Sequence, residues 1–153
     1  MKWIKSDLER YVQAKEYIDT LIIPLLPFQL NKPDDELTKN AFQCEVLSIF
    51  VNELEKELAG RLLLMPHYYY LKSTNKDIEV DRINTWVQDA RNQPIKQVFF
   101  ITFDSSWKKI EKDLEGILLW LPGTHSGDIH SKEMSIIIRD QVEQVGELIQ
   151  SYW

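Results

Sequence analysis

A chain of 153 residues, 44% apolar and 27% charged, has the length and composition of one ordinary globular domain, 1–153, that buries a core without disulfide or structural metal. Its formal net charge of −6 argues against a broad nucleic-acid face and against an anionic membrane surface as partner, since both need clustered Lys and Arg. The one cysteine, Cys44, has no internal disulfide partner, which fits a reducing compartment. Charges interrupt every apolar run from Met1 to Glu9, so neither a signal-peptide core nor a membrane span is read, and a cytoplasmic location is expected.

Ser6 followed by Glu9 reads as a capping box. The helix it opens puts Leu8, Tyr11, Val12 and the stem of Lys15 on one face and runs to about Tyr17. Leu21–Leu26 is the first strand, with Pro24 as a misfit because proline donates no ladder bond. Asp34 or Asp35 caps a long second helix whose Phe42, Val46, Ile49, Phe50, Leu54 and Leu58 keep helical spacing, and Gly60 closes it. Leu62–Met65 follows as the second strand. A third helix spans about Asp77 to Ala90, with Ile78, Ile83, Trp86, Val87 and Ala90 inward, and Asn92 and Pro94 stop it.

Gln97–Phe103 is the clearest strand. A short helix, Trp107 to Leu114, ends at Gly116, and Ile117–Leu121 is the fourth strand; one continuous helix from Trp107 to Leu121 is the alternative, leaving three strands. A polar loop, Pro122 to Ser131, leads to a last helix that runs almost to Trp153. Strands apolar on both faces, alternating with helices, predict an α/β fold: a three-layer sandwich with a small, mostly parallel sheet of about four strands in the order 2-1-3-4 and helices on both faces.

The five glycines form neither a GxGxxG nor a GxxxxGK[ST] loop, which speaks against a Rossmann-type dinucleotide site and a P-loop NTPase. Cys44 sits in a helical pattern with no histidine near it and reads as a structural thiol. Ser105 and Ser106 lie between a strand and a helix but outside any GxSxG elbow, so they read as N-caps. Tyr68, Tyr69 and Tyr70 follow Met65-Pro66-His67 in an expected loop, either sealing the sheet edge or stacking on a planar ligand. The acidic second helix, with Asp34, Asp35, Glu36, Glu45, Glu53, Glu55 and Glu57 against Lys39 and Lys56, is a solvated face or a docking face for a basic partner.

The topology brings the remaining candidates together. His67 follows strand two, Asp104 follows strand three, and His125 and His130 follow strand four, so all share the rim where parallel α/β sheets bind ligands. With order 2-1-3-4 the switch point falls between strands one and three. A crevice there is expected to be lined by Gln29, Asn31, Asp104, Ser105 and Ser106, with His67 on one flank and His125 or His130 on the other. Asp104 either pairs with a histidine as an acid-base unit or caps the next helix. His125 to His130 has a loose metal-ligand spacing, but no metal or cofactor is assigned.

Two functions remain open. A non-catalytic protein-binding or regulatory domain is favoured by the missing catalytic motifs, the acidic helix and the aromatic Trp3, Tyr152 and Trp153 near the ends. A small-molecule hydrolase or transferase using the rim is the alternative.

The opening Met1-Lys2-Trp3, then Asp7, Tyr11, Lys15-Glu16-Tyr17-Ile18-Asp19-Thr20 and Ile23-Pro24-Leu25, resembles a YpiF-like family of short Gram-positive bacterial proteins with no assigned activity. The resemblance implies a cytosolic bacterial protein. Ile22-Ile23-Pro24-Leu25, the helix to Gly60 and Leu64-Met65-Pro66-His67-Tyr68-Tyr69 also resemble the scaffold of the creatininase group. That group's metal motifs do not match: Pro27-Phe28-Gln29-Leu30-Asn31 and Asp104-Ser105-Ser106 stand where they would be.

Overall fold

A computed structural model describes residues 1–124 and 127–153. Five parallel strands form an open sheet: β1 (Thr20–Phe28), β2 (Leu62–Leu64), β3 (Tyr68–Leu71), β4 (Gln97–Thr102) and β5 (Ile117–Trp120). Their order is β2-β1-β4-β5, with β3 also pairing with β1. The fifth strand, β3, is the departure from the four expected. Helices α1 (Lys5–Ala14), α2 (Asp34–Glu57), α3 (Lys76–Ala90) and α4 (Lys132–Gln150) cover the sheet, with 3-10 turns at Lys15–Tyr17 and Ser105–Asp113.

Alternation along the strands builds two cores. Leu21, Ile23 and Leu25 of β1 and Val98 and Phe100 of β4 face one core, with Tyr11 of α1 and Val80, Ile83 and Val87 of α3. Ile22, Leu26, Phe99 and Ile101 face the other, with Val46, Phe50 and Leu54 of α2 and Ile138, Val142 and Val145 of α4. Phe99 and Phe100 are both fully buried on opposite faces, so an unpartnered polar side chain at either position is costly. Each such ring contributes about 2–3 kcal/mol of burial.

The prolines sit where the ladder breaks. β2 pairs with β1 through Ile22↔Leu64, and β3 begins at Leu25↔Tyr68. Ile23 and Pro24 therefore stand opposite the three residues Met65–His67, a bulge-like interruption at which Pro24's missing N–H leaves no ladder position empty. On the other side the β1–β4 register ends at Pro24↔Ile101. The last turn of β1, Leu25 to Phe28, is thus paired on the β3 side alone.

Several local expectations are corrected. Ser6 caps nothing: α1 begins after Ile4, and Asp7 reaches back to accept the Lys2 N–H at 2.7 Å. Val12 is 68% exposed and Ile78 53% exposed, so neither faces a core. Pro33 occupies the N-cap of α2 without a side-chain bond, leaving Asp34 and Asp35 inside its first turn. Gly60, with φ +96°, lies two residues beyond the Leu58 C-cap. Asp104, not a serine, caps the turns at Ser105–Asp113, accepting from the Ser106 N–H. Of the alternatives for 107–121, 3-10 turns followed by β5 are found. Gly116 permits this close return: a Cβ there would lie 2.7 Å from a Phe100 ring carbon and 2.9 Å from the Val98 carbonyl.

Candidate ligand-binding cleft

Because β4 turns away after Thr102 while β1 continues to Phe28, a cleft of about 460 Å³ opens beneath the N-terminal half of α2. Its floor is Leu25, Leu26 and Pro27, and Phe103, Asp104 and Ser105 form the β4 wall. Glu36, Lys39, Asn40, Gln43, Cys44 and Leu47 form the α2 wall, three and four residues apart on one helical face. Gln29, Lys32 and Lys72 complete the rim.

Floor carbonyls beyond the β1–β4 register are satisfied by side chains. Thr102 Oγ1 donates to the Leu25 carbonyl at 2.9 Å. Asn40 Nδ2 donates to the Pro27 carbonyl at 2.8 Å and the Cys44 thiol to the same oxygen at 3.4 Å, which ties α2 to the strand end. Burial pushes the Cys44 thiol up, so it stays protonated at neutral pH. Gln29 Oε1 accepts the Ser73 N–H at 3.2 Å, and the Lys72 N–H bonds the Phe28 carbonyl at 3.0 Å, closing the turn after β3 onto β1.

Asp104 is committed through both oxygens. Tyr70 donates its hydroxyl to Oδ2 at 2.5 Å, and Ser106 donates its N–H and hydroxyl to Oδ1 at 3.0 and 2.7 Å. Burial alone would raise this carboxyl, but the Tyr70 and Ser106 donors and the charge of Lys76 outweigh it and hold the pKa below its ordinary value. Trp107 Nε1 donates to the Tyr70 oxygen at 2.8 Å, so a buried indole underpins the same network. The tyrosines are a strand rather than a loop: Tyr68 and Tyr70 are buried in the α3-side core and Tyr69 is exposed. Their hydroxyls are bonded inside the protein, Tyr68 to the buried Glu79 and Tyr70 to Asp104.

Charge separates the cleft from the chain at large. Lys32, Lys39 and Lys72 outnumber Glu36 and Asp104 on its walls, whereas the whole chain carries −6. Among the described residues, none of these three lysines is in an ion pair. The C-terminal part of the acidic stripe of α2 is engaged elsewhere. Glu55 holds the Met1 ammonium at 2.6 Å, Glu53 pairs with Lys56 at 2.7 Å and Glu57 with Arg139 at 3.5 Å.

Of the expected rim residues, Gln29, Asp104 and Ser105 line the cleft. Asn31 is exposed outside it, and Ser106 serves the Asp104 cap. His67 is half-buried, 6.2 Å from the Tyr69 ring, and burial lowers its pKa. His130 lies with Ile49, Glu53 and Arg139 in a second hollow of about 380 Å³ between α2 and α4. His125 falls outside the described residues. Lys32, Lys39, Lys72 and Asn40 were not expected there. The signal for the α2 members was the polar stripe 36-39/40-43 at the end of an otherwise apolar helical face.

A family model described as "Protein of unknown function (DUF2487)" matches residues 9–153. The chain belongs to this family. It is also 35% identical over 114 residues to an uncharacterised protein, YpiF, of Bacillus subtilis (strain 168), covering 71% of this chain and 69% of that protein. The YpiF-like resemblance of the opening residues thus extends through most of the chain. The creatininase likeness has no such support. No solved structure matches.

Proposed function

We propose that this chain is a non-catalytic binding domain that holds a small anionic ligand in the cleft between the ends of β1 and β4. One observation carries the reading: three lysines without carboxylate partners among the described residues gather at the strand-order switch of an acidic chain. Unpaired ammonium groups on a concave wall attract phosphate or carboxylate far more than isolated surface charges do.

Binding is favoured over the hydrolase or transferase alternative by the state of the cleft's reactive groups. The Cys44 thiol is protonated and bonded to a carbonyl, which disfavours nucleophilic attack. Asp104 has a depressed pKa and filled hydrogen bonds, which disfavours proton transfer near neutrality.

Cys44 supplies a site-resolved test because it is the one cysteine and lines the cleft. Inorganic phosphate is expected to slow its alkylation in a saturable way, and Lys32→Gln with Lys39→Gln and Lys72→Gln to abolish the protection. Sodium chloride at matched ionic strength is the control. An alkylation rate indifferent to phosphate would sink the reading.

A further inference from the structure

An apolar patch adjoins the cleft with no helix over it. Phe28 is 43% exposed, Tyr69 52%, Leu71 46% and Leu30 82%. The register sets Phe28 beside Leu71 and Leu26 beside Tyr69. Leu26 packs in the α2-side core, so Phe28, Tyr69 and Leu71 share the sheet face on which α2 lies. The rings of Phe28 and Tyr69 meet edge to face at 6.2 Å. The patch adjoins the cleft through Leu26, which lines the cleft, stands beside Tyr69 and shares its face with Phe28.

The geometry points to an anionic amphiphile as the ligand class: a phosphate or carboxylate head among Lys32, Lys39 and Lys72, joined to an apolar chain or ring lying on Phe28, Tyr69 and Leu71. This rests on the cleft reading above. A head-only ligand leaves four large apolar side chains in water next to the site, whereas a tail covers them and gains their burial. The ligand is a dissolved monomer rather than a bilayer. The lysines flank a concave cleft rather than a flat face, and a chain of net charge −6 is repelled by an anionic surface.

Straight-chain alkyl phosphates from methyl to octyl, kept below micelle-forming concentrations, separate head from tail in a calorimetric titration of the full chain. Affinity is expected to tighten by roughly twofold or more with each methylene that reaches the patch. Leu71→Ser and, separately, Tyr69→Ser are expected to flatten that slope and leave methyl phosphate binding unchanged; both positions are half-exposed, so both variants fold. Equal affinity for methyl and octyl phosphate overturns the amphiphile and leaves the anion site standing. Binding of none of them overturns both. Binding to phosphatidylglycerol vesicles, but to no monomeric alkyl phosphate, also overturns the proposal.

Discussion

The Tyr70 hydroxyl donates to Oδ2 of Asp104 at 2.5 Å across 34 residues of sequence and accepts the Trp107 indole N–H at 2.8 Å. One hydroxyl thus pins the exit of β4 to β3, on the far side of β1, and fixes the wall of the cleft. Tyr70→Phe leaves both partners without it in a site where Trp107 is fully buried. The expected cost is about 1–3 kcal/mol, read as a lower denaturant midpoint with unchanged slope.

Acid lability follows from three carboxyls whose pKa values the fold lowers. Asp7 accepts the Lys2 N–H and pairs with Arg10; Asp19 is gripped by Arg61 through Nε at 2.9 Å and Nη2 at 3.0 Å; Asp104 is held as described. A lowered folded-state value means stability fully present above the unfolded carboxylate range and lost as pH falls through the folded values. The melting temperature is expected to hold from about pH 7 to 5 and to drop below about pH 4. Asp19→Asn should lower the neutral-pH plateau and make that drop shallower. An equally steep drop in the variant would remove Asp19 from the account.

Most of the sheet was legible because β1, β2, β4 and β5 are apolar on both faces and bounded by turn residues. β3 was hidden. Its alternation, Tyr68 in, Tyr69 out, Tyr70 in, is invisible in a run of one residue type. That strand positions Lys72, so the omission hid one of the three rim residues of the cleft. Asp104, Ser105 and Gln29 could be placed from topology alone, since strand order fixes which loops meet. Lys32, Lys39 and Asn40 could not, because a loop and a helix start converge only where β1 outruns β4. The Asp104 cap was among the sequence alternatives, but its Tyr70 donor depends on the unseen β3.

Two glycines are expected to respond oppositely to alanine. At Gly116 a new Cβ meets Phe100 at 2.7 Å and the Val98 carbonyl at 2.9 Å, both in the packed sheet. Gly116→Ala should cost about 1–3 kcal/mol through overpacking. At Gly146, inside α4, the nearest atoms are 3.8–3.9 Å away, an ordinary contact distance. Gly146→Ala should stabilise by about 0.5–1 kcal/mol as the unfolded chain loses freedom. Thermal unfolding of the pair checks both signs.

The C-terminal aromatics pack on the protein. Trp153 donates its indole N–H to Thr20 Oγ1 at 2.8 Å, Arg61 lies 4.5 Å above its ring, and Tyr152 meets Phe99 edge to face at 5.4 Å. Trp153→Ala is expected to destabilise by about 1–2 kcal/mol, from the lost bond and the lost cation–π contact. A melting temperature unchanged by the substitution would show these contacts to be without weight.

The lysine cleft is tested most directly by an amide chemical-shift titration of the full chain with inorganic phosphate. Saturable shifts are expected at Lys32, Lys39, Asn40 and Lys72, and in the Asp104–Ser106 turn, with the surface around Arg82 and Arg91 unmoved. The same titration of the variant carrying glutamine at all three lysines should leave every one of those signals in place. Shifts spread evenly over the exposed basic residues, or persisting unchanged in the glutamine variant, would contradict a site in the cleft.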